Sequence, residues 1–205
     1  FPTTRVQMRL GEGLEPQTNH AARLATVEVQ RIQKLIDTFA HAKTFGSLIQ
    51  ISPQRMQDVL ELLSVVNQAK QTSDLYAKAA AQDLLPLLQQ AQVLTMQFDA
   101  VVANPPYMGG KGMNPALKDY GSATFPDSKS DLFAMFMERG FDWCKPSGFN
   151  SMVTMQSWMF LSSYEAMRER LLTQRTLSCM VHMGNGVMGI AFGTAATVML
   201  NGRVS

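Results

Sequence analysis

Residues 98–110 read FDAVVANPPYMGG. Phe98 to Ala103 are apolar apart from Asp99 and include two β-branched valines, so they read as a strand of buried character. The run stops on Asn104, Pro105, Pro106 and Tyr107, followed by Met108 and two glycines. In open α/β sheets, ligands gather outside the carboxyl ends of the strands, and each of these four residues has chemistry to offer there. Asn104 brings a side-chain carbonyl acceptor. The prolines fix the backbone and remove two N–H donors, which leaves the Pro105 carbonyl free to face a ligand donor. Tyr107 supplies a flat π face. Two acceptors and a flat face suit an exocyclic amine on a planar ring.

Such an amine is a weak nucleophile because its lone pair is delocalised into the ring. Accepting hydrogen bonds from both amino hydrogens localises that pair, and the tyrosine face stabilises positive charge developing on the ring. The chemistry this favours is methylation of the amine without a strong general base, in keeping with the absence of a carboxylate from the motif.

Composition changes at this point in the chain. Residues 1–96 read as a mostly helical connector segment rich in Gln and Ala. RVQMRL is a possible short strand, with Gly11, Gly13 and Pro16 as punctuation. A helix is expected from Thr18 or Asn19 to about Lys43, on the stripe Ala25, Val29, Ile32, Ile36 and Phe39. Ser52-Pro53 reads as an N-cap with proline at the first helical position, before a helix carrying Val59, Leu60, Leu63 and Val66. A third stretch spans about Ser73 to Leu84, and Pro86 is expected to start or kink a further piece through Met96.

Residues 97–205 alternate strands and helices, the pattern of an α/β open sheet. SGFNSMVTMQ, TLSCMVHMG and GTAATVMLNG read as strands. DLFAMFMERGFDWCKP has helical period, and Ser162 with Glu165 stands at capping-box spacing before a helix through Leu172. MGGKGMNPALKDYGSATFPDSKS reads as a long loop. Gly109, Gly110 and Gly112 make it mobile, and Lys111, Lys118 and Lys129 could meet phosphates there.

The 205 residues carry a net charge of only +2, so a nucleic-acid footprint would have to be local. Cys144 and Cys179 are the only cysteines; they fit buried thiols in a reducing compartment, with neither a disulfide framework nor a zinc site. No apolar run approaches about 18 residues and no signal peptide precedes the chain, so a cytoplasmic protein without a membrane partner is expected. Both ends read as cut from something longer.

The Asn-Pro-Pro-Tyr stretch resembles the fourth motif of S-adenosylmethionine-dependent amino-methyltransferases, most often the N6-adenine DNA methyltransferases. In that family a helix with Asp/Asn-Leu-Tyr/Phe-x-x-Phe follows, then Lys-Pro-x-Gly and a strand. Here Asp131-Leu132-Phe133-Ala134-Met135-Phe136 and Lys145-Pro146-Ser147-Gly148 stand in those places. The wider wording, NPPYMGGKGMN with SDLFAMFMERG and SMVTMQSWMFLSSYEAMRERLL, is similar to the large adenine methyltransferases of BREX or phage-growth-limitation defence, with single-chain restriction–methylation enzymes as kin. The resemblance covers about residues 40–205. It implies the C-terminal half of a Rossmann-like methyltransferase sheet in residues 97–205. Asn104, Pro105 and Tyr107 would be catalytic, Pro106 and Phe136 would line the cofactor, and Phe192 would be the far wall for a base extruded from DNA.

The family's glycine-rich cofactor loop has no counterpart here, since Gly11-Glu12-Gly13 follows no apolar strand. The main S-adenosylmethionine loop is therefore expected outside this chain. So are the rest of the same polypeptide and any other defence proteins that act as partners. Two other readings stay open: a methyltransferase of this motif acting on release-factor glutamine or ribosomal-RNA guanine, and a non-catalytic DNA-binding or assembly fragment.

Overall fold

The structure, a computed structural model, describes residues 19–189 and 191–204, with side chains from Glu28 onward and excepting Met188. The short strand, the glycines and the Pro16 punctuation expected before Thr18 lie outside the described residues, as does the side chain of Ala25. The chain divides into two compact units, residues 1–96 and 97–205.

In the first unit, α1 (Asn19–Thr38) buries Ile32, Leu35 and Ile36, and Phe39, just past its end, is buried with them. It stops short of the expected Lys43. A separate short helix, α2 (Ala42–Phe45), follows and ends at Gly46, whose φ of +53° suits a residue without a Cβ. Ser52 is extended before Pro53, but it caps nothing: its hydroxyl contacts the Gln54 side chain, and Pro53–Arg55 form a 3-10 turn ahead of α3 (Met56–Ala69). The buried stripe of α3 is Val59, Leu62 and Val66, while Leu60 is exposed.

Asp74 caps α4 (Leu75–Thr95) by accepting from the amides of Tyr76 and Ala77. Pro86 neither starts nor divides this helix. The hydrogen bond it cannot make is the one to the carbonyl of Gln82, an exposed position where water can take over. Leu84, Leu88 and Ala91 of α4 complete a core with α1 and α3.

The second unit is built on a four-stranded sheet in the order β1-β2-β4-β3. The strands are β1 (Phe98–Ala103), β2 (Cys144–Met155), β3 (Thr176–Gly184) and β4 (Thr194–Leu200). β1 and β2 are parallel, and β4 is antiparallel to both β2 and β3. Strands β1, β2 and β3 therefore point the same way, and their carboxyl ends share one edge. β2 begins earlier than its apolar pattern suggests. It absorbs the Lys145–Gly148 turn as an irregularity in which Ser147 takes a φ of +62°. Gly148 is obligatory there, since a Cβ would fall 2.9 Å from the Asp99 carbonyl oxygen.

Helices α6 (Leu132–Trp143) and α7 (Glu165–Gln174) supply a core of Phe133, Met137, Phe141, Met167 and Leu171 against Met152 and Met199 of the sheet. Arg170 of α7 ties to Glu138 of α6 and, at 3.1 Å, to Asp127. The capping box expected at Ser162 does not form; Ser162–Tyr164 make a 3-10 turn and α7 starts at Glu165.

The long loop after Tyr107 contains a helix, α5 (Pro115–Thr124), started by Asn114, which accepts from the Leu117 amide at 2.9 Å. Met113, Leu117 and Phe125 are buried, so much of this segment is packed.

The alternation of the strands gives the sheet two unlike faces. Val101 and Ala103 of β1 turn toward the helical core. On the other face Val102 is 78% exposed, and Phe149, Cys179 and Val181 are exposed with it. β1, expected to be of buried character, is apolar but largely exposed on this face, and among the described residues it lies at a margin of the sheet.

Candidate active site

Asn104 follows the last residue of β1 and is exposed; Pro105 is buried, Pro106 exposed and Tyr107 half-buried. The Tyr107 hydroxyl is 3.0 Å from Oδ1 of Asn104 and donates to it, with the Val153 carbonyl oxygen of β2 at 3.3 Å as a second acceptor. Burial raises the Tyr107 phenol above its ordinary pKa, which keeps the donor proton in place. The bond also orients the asparagine amide: Oδ1 faces the tyrosine and retains a second lone pair.

The Tyr107 ring sits among aromatics. It meets Phe133 edge-on at 6.1 Å between centroids and Phe192 at 5.7 Å with planes 74° apart. Phe133 in turn meets Tyr164 at 5.8 Å. The structure thus brings Phe192, 39% exposed, to Tyr107 from 85 residues further along the chain. The two rings meet edge to face, so no base lies flat between them in this arrangement. Phe136 is half-buried one turn beyond Phe133 on α6 and packs against the core cluster.

The motif is fastened to α6 by backbone and side chain together. The Leu132 amide donates to the Met108 carbonyl at 3.0 Å, and the Gly110 amide to the Ser130 carbonyl at 3.2 Å. Between them Asp131, 8% exposed, caps α6. Lys111 and Lys129 each adjoin a residue of the Gly110–Ser130 pair and are exposed; Lys118 is exposed on α5.

Two residues at the same sheet edge carried no signal in the sequence. Gln156, just past β2, donates its amide to the Gly193 carbonyl at 2.9 Å, and its side chain lies where a Cβ on Gly193 would fall. His182, near the end of β3, contacts the Gln156 side chain through Nε2. Phe133 of α6 was legible as a helix and motif residue, but its contact with Tyr107 was not, because that depends on where Tyr107 lands. Among the described residues no three His, Cys, Asp or Glu side chains are grouped to hold a metal, and no helix is long and apolar enough to cross a membrane.

The sequence profile of the Eco57I restriction-modification methylases matches residues 18–188. The chain belongs to this family. It is 46% identical over 180 residues to the adenine-specific methyltransferase BrxX of Escherichia coli O9:H4 (strain HS), covering 86% of this chain and 15% of that protein. It is 32% identical over 163 residues to the adenine-specific methyltransferase PglX of Lacticaseibacillus casei (strain Zhang), covering 77% of this chain and 13% of that protein. The chain therefore spans about a seventh of the length of these curated relatives.

Among solved structures, a Listeria monocytogenes protein described as a class I S-adenosylmethionine-dependent methyltransferase aligns over 99% of this chain and 68% of its own. The identity is 15% and the TM-score 0.45. A nuclease-deletion mutant of the Type ISP restriction-modification enzyme LlaGI, in complex with a DNA substrate mimic, aligns over 68% of this chain and 16% of its own. The identity is 14% and the TM-score 0.42. At these scores neither bears on the geometry of the site.

Proposed function

We propose that the longer protein transfers a methyl group from S-adenosylmethionine to the N6 amine of an adenine extruded from cytoplasmic DNA, as a mark in defence against phage. Residues 97–205 contribute the substrate edge of the catalytic sheet. The observation that carries this reading is the Tyr107–Asn104 hydrogen bond at the end of β1, in a chain of the Eco57I family.

Asn104 Oδ1 and the Pro105 carbonyl accept the two hydrogens of the amine and localise its lone pair on the nitrogen, toward the methyl donor. The Tyr107 hydroxyl holds the Asn104 amide in the acceptor orientation, and its ring takes one face of the base. Phe192 withdraws from Tyr107 to take the other face. Charge that develops on the amine is stabilised by dipoles already aimed at it. Proton loss follows methylation, when the amine is acidic enough to need no strong base. Lys111, Lys118 and Lys129 meet the DNA backbone without reading sequence.

S-adenosylmethionine, when bound, supplies an electrophilic methyl group. The described residues fit it in part: half-buried Phe136 offers a ring to its flat adenine, and exposed Pro106 stands where its methyl group would approach. The contacts to its ribose and amino-acid portions are assigned to other segments of the longer protein.

The test is methyl transfer by the full-length protein to unmodified DNA, ribosomal RNA and release factor in parallel. N6-methyladenine in the DNA alone is the expected result. Transfer to glutamine or guanine would replace the substrate, and no transfer to any of them would leave a DNA-binding or assembly role in its place.

A further inference from the structure

One carboxylate oxygen does two jobs beside the motif. Oδ1 of Asp131 accepts from the Phe133 amide at 3.2 Å, which is ordinary N-capping of α6. The same atom accepts from the Met108 amide at 2.9 Å, across 23 residues of chain. A helix cap needs no such second donor. Met108 is the residue after Tyr107, and Phe133 is the residue whose ring lies edge-on to Tyr107. The backbone on one side of the tyrosine and the ring on another are thus fixed to a single buried atom. Gly109, which bridges to Asp131, brings its Cα close enough that a Cβ would stand 3.5 Å from Oδ2.

We propose that Asp131 is a positioning residue for Tyr107: through the Met108 amide and the Phe133 amide it sets the height and tilt of the ring on which the extruded base lies. This rests on the reading under Proposed function. Asp131 does not touch the base. It acts by holding Tyr107 in place before the base arrives, so its loss lowers the rate of transfer more than the affinity for DNA. A displacement of about 1 Å at a reacting site is enough to cost on the order of 10²-fold in rate. The requirement is for an acceptor, which an asparagine also provides.

The experiment compares full-length wild type, Asp131→Ala and Asp131→Asn. Initial rates are measured on DNA containing the adenine that the wild type methylates. The second readout is the fluorescence of the same duplex with 2-aminopurine in place of that adenine. Expected for Asp131→Ala is a fall in kcat approaching 10²-fold with KM for DNA within about threefold. The extruded 2-aminopurine should also stay bright, because no positioned ring quenches it. Asp131→Asn should keep the wild-type quench and most of kcat.

Wild-type kcat and quench in Asp131→Ala would overturn the inference while leaving the methyltransferase reading intact. So would an Asp131→Asn protein that loses both. Failure of the wild type to methylate DNA would instead overturn the reading and the inference together. Should Asp131→Ala not fold, Asp131→Asn decides by itself: retained kcat and quench are the expected outcome, and their loss the overturning one.

Discussion

Gly140 of α6 lies directly against Asn150 of β2: a methyl group on Gly140 would fall 2.6 Å from the Asn150 Oδ1 and 2.6 Å from the Met152 Cε. Asn150 is buried, and its Nδ2 donates to the Met137 carbonyl at 2.9 Å, so helix and strand are joined at this crossing by a polar contact as well as by packing. Gly140→Ala should therefore destabilise the unit by about 1–3 kcal/mol, the usual cost of overpacking. Urea unfolding measures it. An alanine variant with an unchanged midpoint would show that α6 can slide on the sheet.

Asn104 and Tyr107 should separate in the kinetics of the full-length protein. Asn104→Ala removes an acceptor aimed at the reacting amine and should lower kcat by about 10²–10³-fold, as for other preorganised polar groups. Tyr107→Phe keeps the ring but frees the Asn104 amide to rotate, and its loss should be about tenfold, one hydrogen bond's worth. Equal losses in the two variants would mean that the hydroxyl itself touches the substrate.

The two thiols should react in a fixed order. Cys144 is 1% exposed, and burial pushes its pKa up to about 11, so at pH 8 only about one molecule in a thousand carries the thiolate there. Cys179 is exposed. Iodoacetamide should label Cys179 in the native protein and Cys144 only after unfolding, as peptide mass spectrometry would read.

Asp131 also has a signature in pH. Burial raises its native pKa above 3.8, outweighing the amides of Met108, Phe133 and Leu132 that pull it down. For a carboxyl raised on folding, the stabilising contribution is fully present below the unfolded pKa and is lost as pH rises through the native one. The neighbouring Tyr164 phenol, pushed up to about 12, stays neutral throughout this window. The stability of Asp131→Asn relative to wild type should therefore increase as pH rises above the unfolded carboxyl's pKa of about 4 and through the native one. A difference that is flat in pH, measured by urea unfolding at several values, would contradict the raised pKa.

What could be read from the sequence was what neighbours in the chain decide. The strand Phe98–Ala103 and the motif at its end depend on local pattern, and α6 announces itself by the Asp131 cap and the spacing of its apolar residues. Asn114-Pro115 carried the same kind of signal for α5, but the surrounding glycines masked it. That Pro86 starts no helix of its own was not legible, because its cost depends on whether Gln82 faces water, which only the packed bundle settles. Phe133 beneath Tyr107, and Gln156 beside Gly193, are brought there by the β2–β4 register and the crossing of α6, neither of which is written within any short window.

The position of β1 at the margin of the sheet bears on how the protein behaves in solution. Among the described residues its hydrogen-bonding groups are matched on the β2 side alone, and Val102 stands almost fully exposed. A margin of that kind is a template for any other extended chain, including a second copy of itself. Unless another segment occupies it, concentrated samples of these 205 residues will associate strand to strand. The same apolar strand that presents Asn104 to a ligand is therefore the first place where aggregation would begin.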